Sequence, residues 1–532
     1  MPNLVLPFFS LFPVMIAIFI FVFSTKKNAR IAAVVFQTIF TIITIILLVT
    51  VRDNPMSVSI GEYVGARGII LFADSFVAVF IALTATLFLA VAFYSMNESD
   101  SRLFWFLLFI LESTIIGLFL TQDLFNIFVM AEVSTIIISV LLMYNRLRRV
   151  MYRGLVFIML NVLSMLFYLL GLAFFYSVVG VFDVNRAIGF IAYIDPSHLF
   201  LPYALIMTAI GFKCALIPLF SFTPKTVLYP DAPSGVGALL SGIHIKANIY
   251  LFIKLQTVFE PVATDELFLI FAVAASLTAV FMAMCQTNIK MILAYHTMSQ
   301  VGLIMIGLNS GSDYSRVGGL YHIISHGIFK SALFLTAGIL LHSYGTLNVY
   351  KIRGVFKRSK VVGLIMAFAI LGITGAPFFI GSISKYFITT DVAPWINIAV
   401  IIISLGTIIS FIKYATMLFG DCNNMGDKVV PDGWRLSSTV PLGIICLIGG
   451  IFGTPIINYL FQTNATISVS SYITKTIIFF LSAIVGFIIY KYVVSKNKLM
   501  KRIAGLEFSF NSVVVSLVVF FVVILGYLQV VG

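Results

Sequence analysis

Apolar runs of about 20 residues follow one another from one end of this 532-residue chain to the other. A helix of that length crosses a hydrocarbon layer of ~30 Å. Because lipid offers no partner to a backbone N–H or C=O, only helices and closed barrels can span it. TIIFFLSAIVGFIIY and VVVSLVVFFVVILGYL are solidly apolar and lack the period-two alternation of a barrel strand. The chain therefore reads as an all-α polytopic membrane protein. Sixteen stretches qualify as spans, the seventh at 199–222 and the twelfth at 361–389, and no soluble domain separates them. The first run has no basic leader or small-residue cleavage site, so it is expected to be a retained helix.

Charged residues make up only 10% of the chain, yet the net charge is +13. The surplus falls in alternate loops: Lys26, Lys27 and Arg30; Arg146, Arg148, Arg149 and Arg153; Lys351, Arg353, Lys357, Arg358 and Lys360; and Lys491, Lys496, Lys498, Lys501 and Arg502. Such asymmetry marks cytoplasmic loops and places both termini outside, in a cell membrane. It explains the basic balance without a nucleic-acid partner. NESDSR is one short loop that runs against it. Cys214, Cys285, Cys422 and Cys446 are widely spaced and form no CxxC, and no glycine-rich phosphate loop is present. No redox cofactor, nucleotide or other cofactor is expected in this chain.

An ionisable side chain in the middle of a span costs about 2.5–3.5 kcal/mol on insertion scales, so each one asks for a reason. Glu112, Glu132, Lys213, Lys246 beside His244, Lys385 and Lys413 are such residues. Lys385 and Lys413 can instead snorkel to an interface. Within LYHIISHGIFKSALFLTAG, His322, His326 and Lys330 each follow the last by four residues. Each step turns about 40° around a helix, so the three form one stripe. Two neutral histidines bonded across a helix interface would explain the pair. A metal or haem site would want further ligands, which HIISH does not bring. Histidine titrates near neutrality and a buried lysine can give up its proton there, so a row of this kind can pass protons where water fills the gaps. Glu132 beside Lys213 would favour the charged lysine, and its withdrawal would favour proton release. Glu112 has no role in this reading.

Two spans carry both an interior proline and a lysine, Pro218 after Lys213 and Pro377 before Lys385. Each removes a backbone donor and frees a carbonyl one turn earlier. Broken helices at membrane depth are tolerated where protein or water satisfies the freed groups; a simple kink is the alternative for either. The two broken spans are five apart and must cross in opposite directions, as in an inverted repeat.

Several stretches resemble the antiporter-like family shared by Mrp-type cation/proton antiporters, complex I and membrane-bound hydrogenases. They are TQDLFNIFVMAEVS, PDAPSGVGALLSGIHIKANIYLF, QTNIKMILAYHTMSQVGLIMIG, GGLYHIISHGIFKSALFLTAG and GAPFFIGSISKYFI, in the family's order between about residues 69 and 420. The resemblance implies about 14 core helices with two inverted five-helix repeats, plus about two extra C-terminal helices. The divisions expected are 1–102, 103–258 and 259–421 for the two repeats, and 422–532. It further implies a proton pathway of Glu132 paired with Lys213, then Lys246, then His322, His326 and Lys330, ending at Lys385. Three departures stand out: SFTPKTVLYPDAPSG replaces a Trp-Leu-Pro-Asp stretch, Asn288 stands where an aspartate is usual, and GAPFFIGS replaces a double proline followed by Gly-Phe.

The function expected is that of a proton-translocating, Na⁺ or K⁺/H⁺ antiporter-like subunit of a multi-subunit complex, D-type Mrp subunits being most similar. Other membrane subunits would be its partners and protons, with Na⁺ or K⁺, its substrates. A proton-pumping subunit of a complex I-like oxidoreductase or hydrogenase is the alternative, as are a proton-driven subunit of a bicarbonate uptake complex and a free-standing transporter of a small solute.

Overall fold

The computed structural model describes residues 5–61, 68–98, 101–145, 147–216, 231–421, 432–495, 498–504 and 509–531. Among them, 14 helices are long and apolar enough to cross a membrane. They are α1 (Val5–Phe23), α2 (Lys26–Val51), α3 (Ser75–Ser95), α4 (Arg102–Leu120), α5 (Leu124–Leu142), α6 (Arg148–Val179), α8 (Ser234–Val258), α9 (Asp265–Cys285), α10 (Ile289–Asn309), α11 (Asp313–Tyr344), α13 (Pro394–Ala415), α14 (Gly433–Ile451), α15 (Val469–Ile489) and α16 (Phe510–Val531). The seventh and twelfth stretches are shorter: α7 (Phe200–Lys213), and a pair, α12a (Lys360–Thr374) and α12b (Ile380–Ile388). The chain is a multi-pass, nearly all-helical membrane protein.

Hydropathy alone begins the third span at residue 69, which proves too early. Ile69–Ala73 form a strand, β2, antiparallel to β1 (Met56–Ile60), and Asp74 then caps α3 by accepting from the Val77 N–H at 2.8 Å. That cap satisfies a first-turn donor and fixes where the helix starts. Asn288 does the same for α10, accepting from the N–H groups of Lys290 and Met291. An amide at this position therefore keeps the capping role of a carboxylate.

Contacts divide the chain into two compact units. The first comprises Met1–Cys214, Ile243–Thr264 and Ser509–Gly532, and the second Ala215–Gly242 and Asp265–Phe508. The division falls inside α8, in a π-helical turn at Leu240–His244.

In the first unit α1 packs on α4, α6 on α7, and α16 on α7. The last contact depends on Gly211, where an added Cβ would run into the Phe520 ring. Gly211→Val is therefore expected to destabilise the protein by about 1–3 kcal/mol through overpacking. Phe520→Ala in the same chain should recover part of the loss. Thermal unfolding in detergent reads both, and an unchanged midpoint in the single variant would mean that α16 does not seat there.

In the second unit, α10 approaches α9 at Gly302 and α11 at Gly307 and Gly319, where small residues let backbones come close. The twelfth stretch breaks at Pro377. Gly375, in the left-handed region with φ +80°, ends α12a, and Phe378 is also left-handed at φ +68°. Pro218 lies outside the described residues, in which α7 ends at Lys213.

The same backbone stitch occurs once in each unit. Leu124 N–H donates to Phe182 O and Val184 N–H to Gln122 O, at 2.9 and 2.8 Å. Ile289 N–H donates to Leu347 O and Val349 N–H to Thr287 O, both at 2.9 Å. Every position in the second stitch follows its counterpart by the same interval, as 289 less 124 and 347 less 182 both give 165.

Candidate functional site

In the first unit the site grows from two helices. Glu132 and Thr135 stand three apart on α5, one turn of the same face, and Lys213 closes the last turn of α7. The Lys213 ammonium donates to Thr135 Oγ1 at 2.8 Å and to Glu132 Oε1 at 3.3 Å. Its side chain is 2% exposed against 16% for Glu132. The charge is thus removed from solvent and held by one carboxylate and one hydroxyl, and the Thr135 hydroxyl in turn donates to Ala131 O. A bond of 3.3 Å to the carboxylate is long for an ion pair, so the ammonium sits more tightly on the neutral oxygen.

His244 and Lys246 lie on α8 at and just past the π-helical turn, both buried. His244 Nε2 is 3.5 Å from Ser134 Oγ, close to Glu132 in sequence, and Lys213 is the charge that acts on this ring. Glu112, buried on α4, accepts from Gln37 Nε2 at 2.7 Å, and its second oxygen has no protein partner among the described residues. An amide thus serves it in place of a cation.

In the second unit the stripe on α11 is fully buried, with the His322 and His326 rings parallel and 6.3 Å between centroids. His322 is held at both nitrogens, Nδ1 2.8 Å from Ser384 Oγ and Nε2 3.0 Å from Gln300 Oε1. A carbonyl oxygen can only accept, so Nε2 carries a proton, while the Ser384 hydroxyl can accept from Nδ1 or donate to it. The ring can therefore take up a second proton without losing either partner. Lys330, one turn beyond His326, donates to Leu293 O on α10 at 2.5 Å.

Lys385 occupies the break in the twelfth stretch. Pro377 frees the carbonyl four residues before it, that of Ile373. Lys385 Nζ donates to Ile373 O and to Thr374 O, both at 3.1 Å. Beside the break lies a cavity of about 490 Å³, lined by Lys385, Ser382, Thr374 and, from α15, Lys475. Lys475 donates to Tyr386 O and Thr389 Oγ1. Among the described residues no three His, Cys, Asp or Glu side chains are grouped to hold a metal ion.

The structure thus pairs Glu132 with Lys213, as the sequence leads one to expect, and joins the histidine stripe to the helix of Lys385 through Ser384. Thr135, Ser384 and Gln300 are partners of the site residues that charge-based reading passes over. His296 and Gln300 stand four apart on α10, a spacing like that of the stripe on α11.

The described residues form a multi-pass helical bundle that buries Lys213 and Lys246, and Lys385 at a broken span. The chain belongs to the family of NADH:quinone oxidoreductase and Mrp antiporter transmembrane proteins, whose model matches residues 121–410. It is 27% identical to the D-type subunit of the Na(+)/H(+) antiporter of Alkalihalophilus pseudofirmus over 438 residues, covering 79% of this chain and 88% of that protein. It is 27% identical to the N-type subunit of the NADH-quinone oxidoreductase of Desulforudis audaxviator over 442 residues, 77% of this chain and 88% of that one. In fold it is similar to a component of the Mrp complex from Dietzia sp., with a TM-score of 0.78 and 20% identity over 89% of this chain and 99% of that one. A component of the archaeal membrane-bound sulfane sulfur reductase superposes with a TM-score of 0.79 and 22% identity over the same shares.

Proposed function

We propose that the protein is a proton-translocating subunit of a multi-subunit membrane complex that exchanges H⁺ for Na⁺ or K⁺. The observation that carries this reading is the buried Lys213, its ammonium shared between Glu132 and Thr135. A proton on that amine can be held while the carboxylate is near and released when it withdraws, which is what a coupled relay requires. Lys246 serves next in the first unit, and His322, His326, Lys330 and Lys385 serve in the second. Neighbouring membrane subunits supply the driving force. The alternation of basic loops supports a cell membrane location with both termini outside. The repeated stitch 165 residues apart supports reading 103–258 and 259–421 as repeats of one ancestral unit.

A second reading makes the partner a redox arm, as in a complex I-like oxidoreductase, and is favoured by the likeness to an NADH-quinone oxidoreductase subunit. Co-purification separates the two: small hydrophobic subunits alone indicate an antiporter, iron-sulfur subunits a redox-driven pump.

The direct test is His322→Ala with His326→Ala in everted membrane vesicles. Removing two titratable relays is expected to slow proton-coupled flux by roughly 100-fold with the protein still inserted. Wild-type rates would return the stripe to a packing role.

A further inference from the structure

Resting on the proton-translocating reading, a buried group outside that pathway has the position of an additional relay. His296 on α10 is 0% exposed, and neither ring nitrogen has a hydrogen-bond partner among the described residues. The ring packs on Phe411 of α13 at 4.8 Å between centroids. Three cations act on it from three packed elements: Lys330 on α11, Lys413 on α13 and Lys385 on α12b. Lys330 is bound to Leu293 O, on the same turn of α10 as His296.

His296 is not alone. Ser299 Oγ and Gln300 Nε2 on α10, Ser331 Oγ on α11, and Ser410 Oγ and Tyr414 OH on α13 are also buried polar atoms without a partner among the described residues. Buried donors and acceptors are nearly always satisfied, by ordered water where protein does not serve them. So many on α10 and on two helices that pack against it mark a hydrated seam. One of its helices leads to Lys413, which donates to the carbonyls of Ala283, Met284 and Gln286 at the end of α9. With both termini outside, the α9–α10 connection is cytoplasmic.

We propose that His296 is a proton relay linking Lys330, through water, to the cytoplasmic end of α13, so that the second unit has an inlet of its own. A proton arriving along the seam binds one imidazole nitrogen while the other gives its proton toward the amine of Lys330. The ring returns to neutral by tautomer exchange. Lys413 marks the mouth, its ammonium fixed by three carbonyls.

His296→Gln, which keeps polarity but cannot titrate, and His296→Phe, which keeps the aromatic packing on Phe411, are compared in vesicles carrying the full complex. Both are expected to slow proton-coupled flux roughly tenfold at equal protein levels and to flatten its pH dependence between about pH 6 and 8. A wild-type rate and pH profile in His296→Gln would overturn the proposal, while continued inactivity of Lys213→Ala would leave the main pathway standing. If neither His296 variant inserts, Ser410→Ala with Tyr414→Phe decides, since it removes only hydroxyls. A rate roughly threefold lower supports the seam, and an unchanged rate overturns it.

Discussion

Lys213→Ala is expected to cut proton-coupled flux on the order of 100-fold or more, the range associated with losing a positioned proton-transfer group. Loss of charge alone could produce that result, so Lys213→Arg is the informative companion. A guanidinium keeps the positive charge and can still bond Glu132 and Thr135, but it does not deprotonate in proteins. If the amine works by giving up a proton, the arginine variant is as inactive as the alanine one. If it only anchors α5 to α7, arginine restores transport. Glu132→Gln keeps a hydrogen-bonding oxygen and removes the counter-charge, and roughly tenfold slower flux is expected because the proton then leaves the amine too readily. Wild-type flux in both Lys213→Arg and Glu132→Gln would remove the pair from the pathway.

The second large effect is at Lys385, where stability and transport should separate. Lys385→Met removes the donor from two buried carbonyls, Ile373 and Thr374, each orphaned group costing about 1–3 kcal/mol. The variant is expected to unfold at a lower temperature and to transport poorly. Lys385→Arg can refill the break, so its thermal midpoint should return toward wild type while its flux stays low. Transport at the wild-type rate in Lys385→Arg would make the lysine a plug for the broken helix and nothing more.

Glu132, Lys213 and Lys385 were legible in the sequence because charge in a hydrocarbon layer is costly and rare. Pro377 was legible because proline removes a backbone donor, and Lys385 fills the carbonyl of Ile373 four residues before it. Pro13 and Pro441 lie inside the unbroken helices α1 and α14, so a proline alone does not break a span. What serves these groups was not legible. Thr135, Gln300 and Ser384 are uncharged, common in spans, and brought to their partners from elements distant in the chain. The start of α3 was misread because Ile69–Ala73 are as apolar as a span, and only pairing with Met56–Ile60 makes them a strand. Lys413, which snorkelling would have explained, instead turns inward to the end of α9.

The paired stitches at Leu124 and Ile289 are made wholly of main-chain atoms. Asp123 and Asn288, which stand 165 residues apart beside them, differ in side chain while the main-chain pairing around them is the same. A search for internal symmetry by residue identity would pass over this correspondence, whereas main-chain bonding at a fixed interval exposes it.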